Sequence, residues 1–373
     1  MNDNKTVSRI TAFINRGVVK NVLDSLKEIG IVDLYLTAGR SPVIKERRGI
    51  FVHLPGHDLV EDPLDIIAFL VTQDMEGKVL DLIIEKGELT LPGRGTVYSE
   101  EVSVPIAYEI LKENRPSPFE AKKSGLRAQQ LEGISCIVQR GQGNNVARVA
   151  LDAGACVPAI HYSIGTGVRD KMGLLRITIP AEKEVITLAT SAYDADVIME
   201  MMIDVGKLGQ PGKGFIYLYP LKKGLVNIQV TRGEQRQAAS IEQIVATLDH
   251  IKGDTEWRRW SGLVGKTGEK IRYLIGLVDL TLLCDAGTGA GLVKAAMSAG
   301  APGATINKLK HIRPLDSPLS QISPLREACS MIVSEDRMEG IIDALKEAEA
   351  FTELCHGQLQ ARRIKKAYTY MSK

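Results

Sequence analysis

The 373-residue sequence predicts a mixed α+β fold built from three tandem copies of one βαββαβ unit. Three observations carry that expectation. A glycine-rich stretch recurs without a gap, so that Gly141 and Gly143 fall on Gly287 and Gly289, and Ala153-Gly154-Ala155 on Ala299-Gly300-Ala301. The same front half opens the chain, where Arg16-Gly17 falls on Arg140-Gly141 and Gly30 on Gly154. In the back half of each copy, apolar pairs recur one helical turn apart: Val79, Leu80, Ile83 and Ile84; Val197, Ile198, Met201 and Met202; Ile341, Ile342 and Leu345. That stripe is what a helix needs to pack one face onto a sheet.

In order, the first copy reads as strand "RITAFI", a helix from about Val18 to Ile29, strand "VDLYLT", strand "LDIIAFLV" from Leu64, the Val79–Ile84 helix, and a glycine turn into strand "LPGRGTVYSEEV". The second opens with "GISCIVQ", continues through "EVITLAT" from Glu184 and its helix, and closes on "QPGKGFIYLYPL". The third opens with "LVDLTLLC" and continues with "ACSMIV" from Ala328. It reads "ELCHGQLQARR" where the others have the glycine turn, and the tail "QARRIKKAYTY" reads as a last strand. Gly30, Gly154 and Gly300 follow the first helix of each copy, where a left-handed C-cap suits glycine. The order βαββαβ is the ferredoxin-like split βαβ. The expected boundaries are 1–106, 132–235 and 277–373, the last degenerate, with linkers at 107–131 and 236–276.

Several functions are disfavoured. "DAGTGAGLVKAAMSAGAPGATI" looks like a dinucleotide loop after a strand, but its glycines, Gly287, Gly289 and Gly291, miss the G-x-G-x-x-G spacing. "GLVGKTGEK" has two residues between Gly262 and Gly265 where a P-loop has four. "EWRRW" holds both tryptophans, Trp257 and Trp260, and reads as a linker anchor rather than a nucleic-acid platform; a net charge of +2 adds no nucleic-acid signal. No G-x-S-x-G or H-E-x-x-H motif is present, and His356 beside Cys355 has no second pair at metal-ligand spacing. The expectation is therefore a non-enzyme without metal or covalent cofactor. Five scattered cysteines read as buried thiols. "MNDNKTVSR" lacks the apolar core of a signal peptide, and no run approaches the length of a membrane helix. The chain is expected to be cytoplasmic and not inserted in a membrane.

The order of "RGQG", "ALDAGA", "IGTG", "LLRITIPAEKEV" and "GQPGKGFIYL" in the second copy resembles the PII-like signalling proteins, the nitrogen regulatory family. The first copy retains "PGRG", and the third keeps only the front half. The resemblance implies a trimer fused into one chain, an intrachain pseudo-trimer. It further implies an adenine nucleotide (ATP, ADP or AMP) as effector in clefts between units, and a regulated partner such as a membrane transporter or metabolic enzyme.

The candidate nucleotide-phosphate residues are Gly93-Arg94-Gly95 and Gly212-Lys213-Gly214, where successive N–H groups could form an anion nest beside a cation. Gly165 and Gly167, and Arg232 in "VTRGEQR", resemble the family's nucleotide-approaching segments. The candidate partner loop is "RSPVIKERRGIFVHLPGHDLVEDP", with Lys45, Arg47 and Arg48 at its middle and no tyrosine to modify. Two alternatives stand beside this reading: a structural pseudo-trimer that has lost nucleotide binding, and a small-molecule or dinucleotide enzyme. Substituting Lys213 and Arg94 separates the first of these from a sensor.

Overall fold

The computed structural model describes residues 5–45, 58–91, 93–125, 127–153, 156–167, 181–226 and 271–371. Within them the chain is a mixed α+β protein with one large antiparallel sheet and six α-helices. The first run of elements is β1 (Lys5–Asn15), α1 (Val19–Glu28), β2 (Leu34–Lys45), β3 (Asp58–Val71), α2 (Glu76–Lys86) and β4 (Gly95–Ala107). The second is β5 (Ala128–Gln129), β6 (Leu131–Gln139), α3 (Gly143–Asp152), β7 (Ala159–Gly167), β8 (Glu182–Ser191), α4 (Ala195–Gly206), β9 (Gly214–Pro220) and β10 (Lys223–Leu225). The third is β11 (Leu277–Asp285), α5 (Gly289–Ser298), β12 (Gly303–Ile312), β13 (Leu325–Ser334), α6 (Met338–Glu347), β14 (Gln358–Ile364) and β15 (Lys366–Thr369).

Each run contributes four neighbouring strands in the same spatial order: β4-β1-β3-β2, β9-β6-β8-β7 and β14-β11-β13-β12. Alternation along the strands decides which residues meet the helices. On β1, Ile10, Ala12 and Ile14 point to α1 and α2 and join a core with Val22, Leu26, Val79, Leu80 and Ile83. The second and third runs have matching cores around Val146, Ile198 and Met202, and around Leu292, Ile341 and Leu345. The residues between, such as Arg9, Thr11 and Phe13, face the opposite side, where all three runs converge.

The runs are joined in a ring. Leu34–Leu36 of β2 pair with Lys310–Ile312 of β12, Gly303–Ile306 of β12 with Ile164–Gly167 of β7, and Arg40 of β2 with Ile160 of β7. A second ring of pairings involves the last strands and their extensions: β14 lies on the end of β4, β10 on β4, and β15 on β9. The linker after β4 is strapped down by Asn114. Its buried amide accepts from the N–H groups of Val32 and Asp33 and donates to the carbonyls of Asp33 and Leu70, at 2.8–3.0 Å.

Two features differ from the sequence expectation. β2 continues to Lys45 and β3 begins at Asp58, six residues before Leu64, so the ends of the long first loop form a hairpin in which Lys45 pairs with Asp58. The tail strand is split in two at Lys365, giving β14 and β15. Among the described residues, no helix is long and apolar enough to cross a membrane, and Cys136, Cys156, Cys284, Cys329 and Cys355 are free, buried thiols. Gly154, "GLVGKTGEK" and "EWRRW" lie outside the described residues.

Candidate functional site

The largest cavity among those described, about 650 Å³, lies between the second and third runs. One wall is Gly165, Thr166 and Lys183 with Gly212 and Gly214 of the glycine turn; the other includes Pro302, Gly303, Ala304 and Thr305 at the start of β12. Ile137, Ile164, Phe215, Met297 and Ile332 supply apolar surface, and Thr369 and Tyr370 close one end. Volumes of about 300–1,000 Å³ with an apolar lining and a few convergent polar groups are usual for small-molecule sites.

The turn has to be glycine. Gly214 has φ +156°, and a Cβ there would meet the Ile137 carbonyl oxygen at 2.3 Å; Gly212 has φ +72°. The turn is anchored by Gln139 Nε2, which donates to the Gly212 carbonyl at 3.0 Å, and by Thr369 Oγ1, which donates to the Gly214 carbonyl at 2.8 Å.

The cation in the lining is Lys183, which the sequence reading did not single out. It is half-buried, and burial lowers its pKa. Among the described residues its ammonium has no ion-pair partner, and no Asp or Glu lines the cleft. Lys213 is exposed and is not among the lining residues. Gly167 ends β7 opposite Gly303. Arg232, Arg47 and Arg48 fall outside the described residues; Lys45 is the last residue of β2.

Strand register locates the same place in the other two runs. Val138 pairs with Glu184, and Cys284 with Glu327; Glu184 accepts from Gly143 N–H at 2.7 Å, and Glu327 from Gly289 N–H at 2.9 Å. Lys183 therefore corresponds to Arg326. Arg326 is fully buried, with its guanidinium on Asp285 and on the His356 carbonyl. His356 Nδ1 is 2.6 Å from the same carboxylate, and the ring meets Tyr108 edge-on. On the neighbouring wall, His311 Nε2 lies 2.8 Å from Asp33, and its ring stacks on Tyr35 at 4.8 Å. These side chains narrow the third position to a cavity of about 140 Å³ lined by Asp33, Tyr35, Leu283 and Gln358. In the first run, Gly93, Arg94 and Gly95 line a cavity of only about 40 Å³ with Val157, and Arg94 pairs with Glu88 at 3.2 Å.

Inward of these sites, a buried charge network ties the runs together. Arg362 donates to Glu100 at 2.8 Å and to Asp279, and lies 3.7 Å over the Tyr219 ring. Glu100 also accepts from Arg9 Nε at 2.8 Å. Burial alone would raise the Glu100 carboxyl, but Arg362 and Arg9 hold it below the ordinary value; Asp279 is lowered in the same way. A second network holds the extension at β10. Glu76, fully buried, accepts from Lys222 at 2.6 Å, Ser8 at 2.6 Å and Ser99 at 2.8 Å, which outweigh burial and lower its pKa.

No protein-family model matches the chain, and no curated protein matches it.

Proposed function

We propose that the chain is a non-catalytic regulatory protein of the PII-like type. Its three ferredoxin-like domains, 1–106, 132–235 and 277–373, form an intrachain pseudo-trimer that binds an adenine nucleotide between the second and third domains and signals to a partner protein. The repeated strand order and the two rings of pairings support three equivalent units about one axis. The observation that carries the ligand reading is the 650 Å³ cleft, where a glycine turn and an unpaired Lys183 face apolar surface with no carboxylate among the described lining residues. An anionic group belongs at Lys183 and the turn, and a flat base belongs on the apolar wall around Phe215.

The other two positions are narrow, so the expected stoichiometry is one nucleotide per chain. That same narrowing favours the second reading, a scaffold in which ligand binding has been lost throughout.

Isothermal titration with ATP, ADP and AMP, each with and without magnesium, separates the two. One saturable site is expected. Lys183→Ala weakens it about tenfold or more, the cost of a charge-assisted hydrogen bond, whereas Arg94→Ala leaves it unchanged. Absence of heat with all three nucleotides leaves the scaffold.

A further inference from the structure

The walls of the cleft continue inward along the same strand faces. Ile137, Thr305 and Ser330 line both the cleft and a second cavity of about 150 Å³ at the convergence of the three runs. This inner chamber sets polar side chains among apolar surface from Phe13, Ile66, Ile137 and Val185. Its four ionised groups, Arg9, Arg362, Glu100 and Asp279, neutralise one another in direct pairs. Three further polar atoms on chamber residues make no well-formed hydrogen bond, Nδ1 of His161, Oδ1 of Asn307 and Nε of Arg362, although the His161 ring and the Asn307 amide approach each other. His161 and Arg362 are each only 8% exposed. Buried donors and acceptors are costly to leave unmade, so such atoms mark a place where a guest supplies the missing bonds.

The chemistry of that guest follows from the lining. Burial pushes the His161 imidazole down to about 4, outweighing the neighbouring Asn307, so the ring is neutral at neutral pH. With every full charge already paired, neither an anion nor a cation finds a free countercharge. Arg362 Nε–H requires an acceptor and Asn307 Oδ1 requires a donor. A carboxamide offers both from one planar group. Cavities of about 150 Å³ accept guests of about six non-hydrogen atoms.

We propose that the inner chamber is a second ligand site, specific for a small uncharged carboxamide. It is distinct from the lateral cleft and stands whether or not that cleft takes a nucleotide.

Propionamide is the probe, with propionate and propylammonium as charged counterparts of similar size. Binding to the full chain is followed by saturation-transfer NMR, and the position by a crystal soak. The expected result is saturable binding of propionamide, with its amide on His161, Asn307 and Arg362, and none of either ion. Asn307→Leu and His161→Gln each weaken binding at least about tenfold, as loss of a buried hydrogen bond implies. Urea midpoints confirm which variants are folded, and His161→Gln keeps the test alive should Asn307→Leu misfold. Saturable binding that both folded variants retain would overturn the assignment. So would propionate binding as well as the amide, or only ordered water in the chamber at about 50 mM propionamide.

Discussion

His161 makes the stability of this protein sensitive to mild acid in a range where its buried carboxylates are silent. The imidazole ionises at about 4 in the folded chain, against about 6.5 unfolded, because burial penalises its charged form. The unfolded state therefore binds more protons, and stability falls as pH falls. It is complete above about pH 6.5 and is lost progressively down to about 4. The full difference of about 2.5 pH units corresponds to about 3.4 kcal/mol, of which about 2 kcal/mol is lost by pH 5.0. Glu76, Glu100 and Asp279 have lowered folded values, so their stabilising contributions are lost only as pH drops below the ordinary carboxylate range. Urea unfolding of the wild type and His161→Gln at pH 7.5 and 5.0 isolates the effect, since every other titrating group is common to both chains. The wild type is expected to lose about 2 kcal/mol more than the variant over that interval. Equal losses, within about 0.5 kcal/mol, would show that the ring is not held neutral by burial and would refute the reasoning.

Two further outcomes follow from backbone and charge. Gly95→Ala places a Cβ 1.9 Å from the Phe13 carbonyl oxygen at φ +144°, whereas Gly93, at φ +72°, has nothing within 4 Å. In urea unfolding, Gly95→Ala should cost more than about 2 kcal/mol through forced backbone movement, and Gly93→Ala about 1 kcal/mol from its left-handed conformation alone. Arg362→Met leaves buried Asp279 without a cation and Glu100 with Arg9 alone, and should cost about 3–5 kcal/mol; adding Glu100→Gln and Asp279→Asn should recover part of it. A triple variant no more stable than Arg362→Met alone would mean that lost packing over Tyr219, not charge, dominates.

The repeat made much of the architecture legible, because periodicities of two and 3.6 recur in register with the glycines. Gly212 and Gly214, singled out in the sequence as a glycine turn beside Lys213, line the cleft, where their positive φ leaves few alternatives to glycine. Lys183 was not found. It sits at the start of an apolar strand, and its place in the cleft lining appears only when β12 brings Gly303–Ile306 opposite Ile164–Gly167. The ends of the first long loop were hidden by Pro42, Pro63 and their charged neighbours, yet Pro42 pairs with Glu61 and Pro63 with Arg40 in the β2–β3 hairpin. The closure around Arg326 had one visible sign, the loss of the glycine turn at "ELCHGQLQARR". Its partners, Asp285 and His356, become neighbours only through the strand pairings. Nor does any local pattern join Glu100 to Arg362, 262 positions apart.

That separation has a cost in time. Ser103, Ile106 and Ala107 of β4 wait for Ala361, Leu359 and Gln358 of β14, and Glu100 waits for the guanidinium that neutralises it. At about 5–20 residues per second of synthesis, roughly 250 intervening residues leave the first run with an open strand edge and an incompletely paired inward-facing carboxylate for about 13–50 seconds. In that interval the charge is itself protective, since an inward charge on an unpaired edge discourages pairing with another chain. The same carboxylate that anchors the finished centre thus serves the nascent chain as a guard.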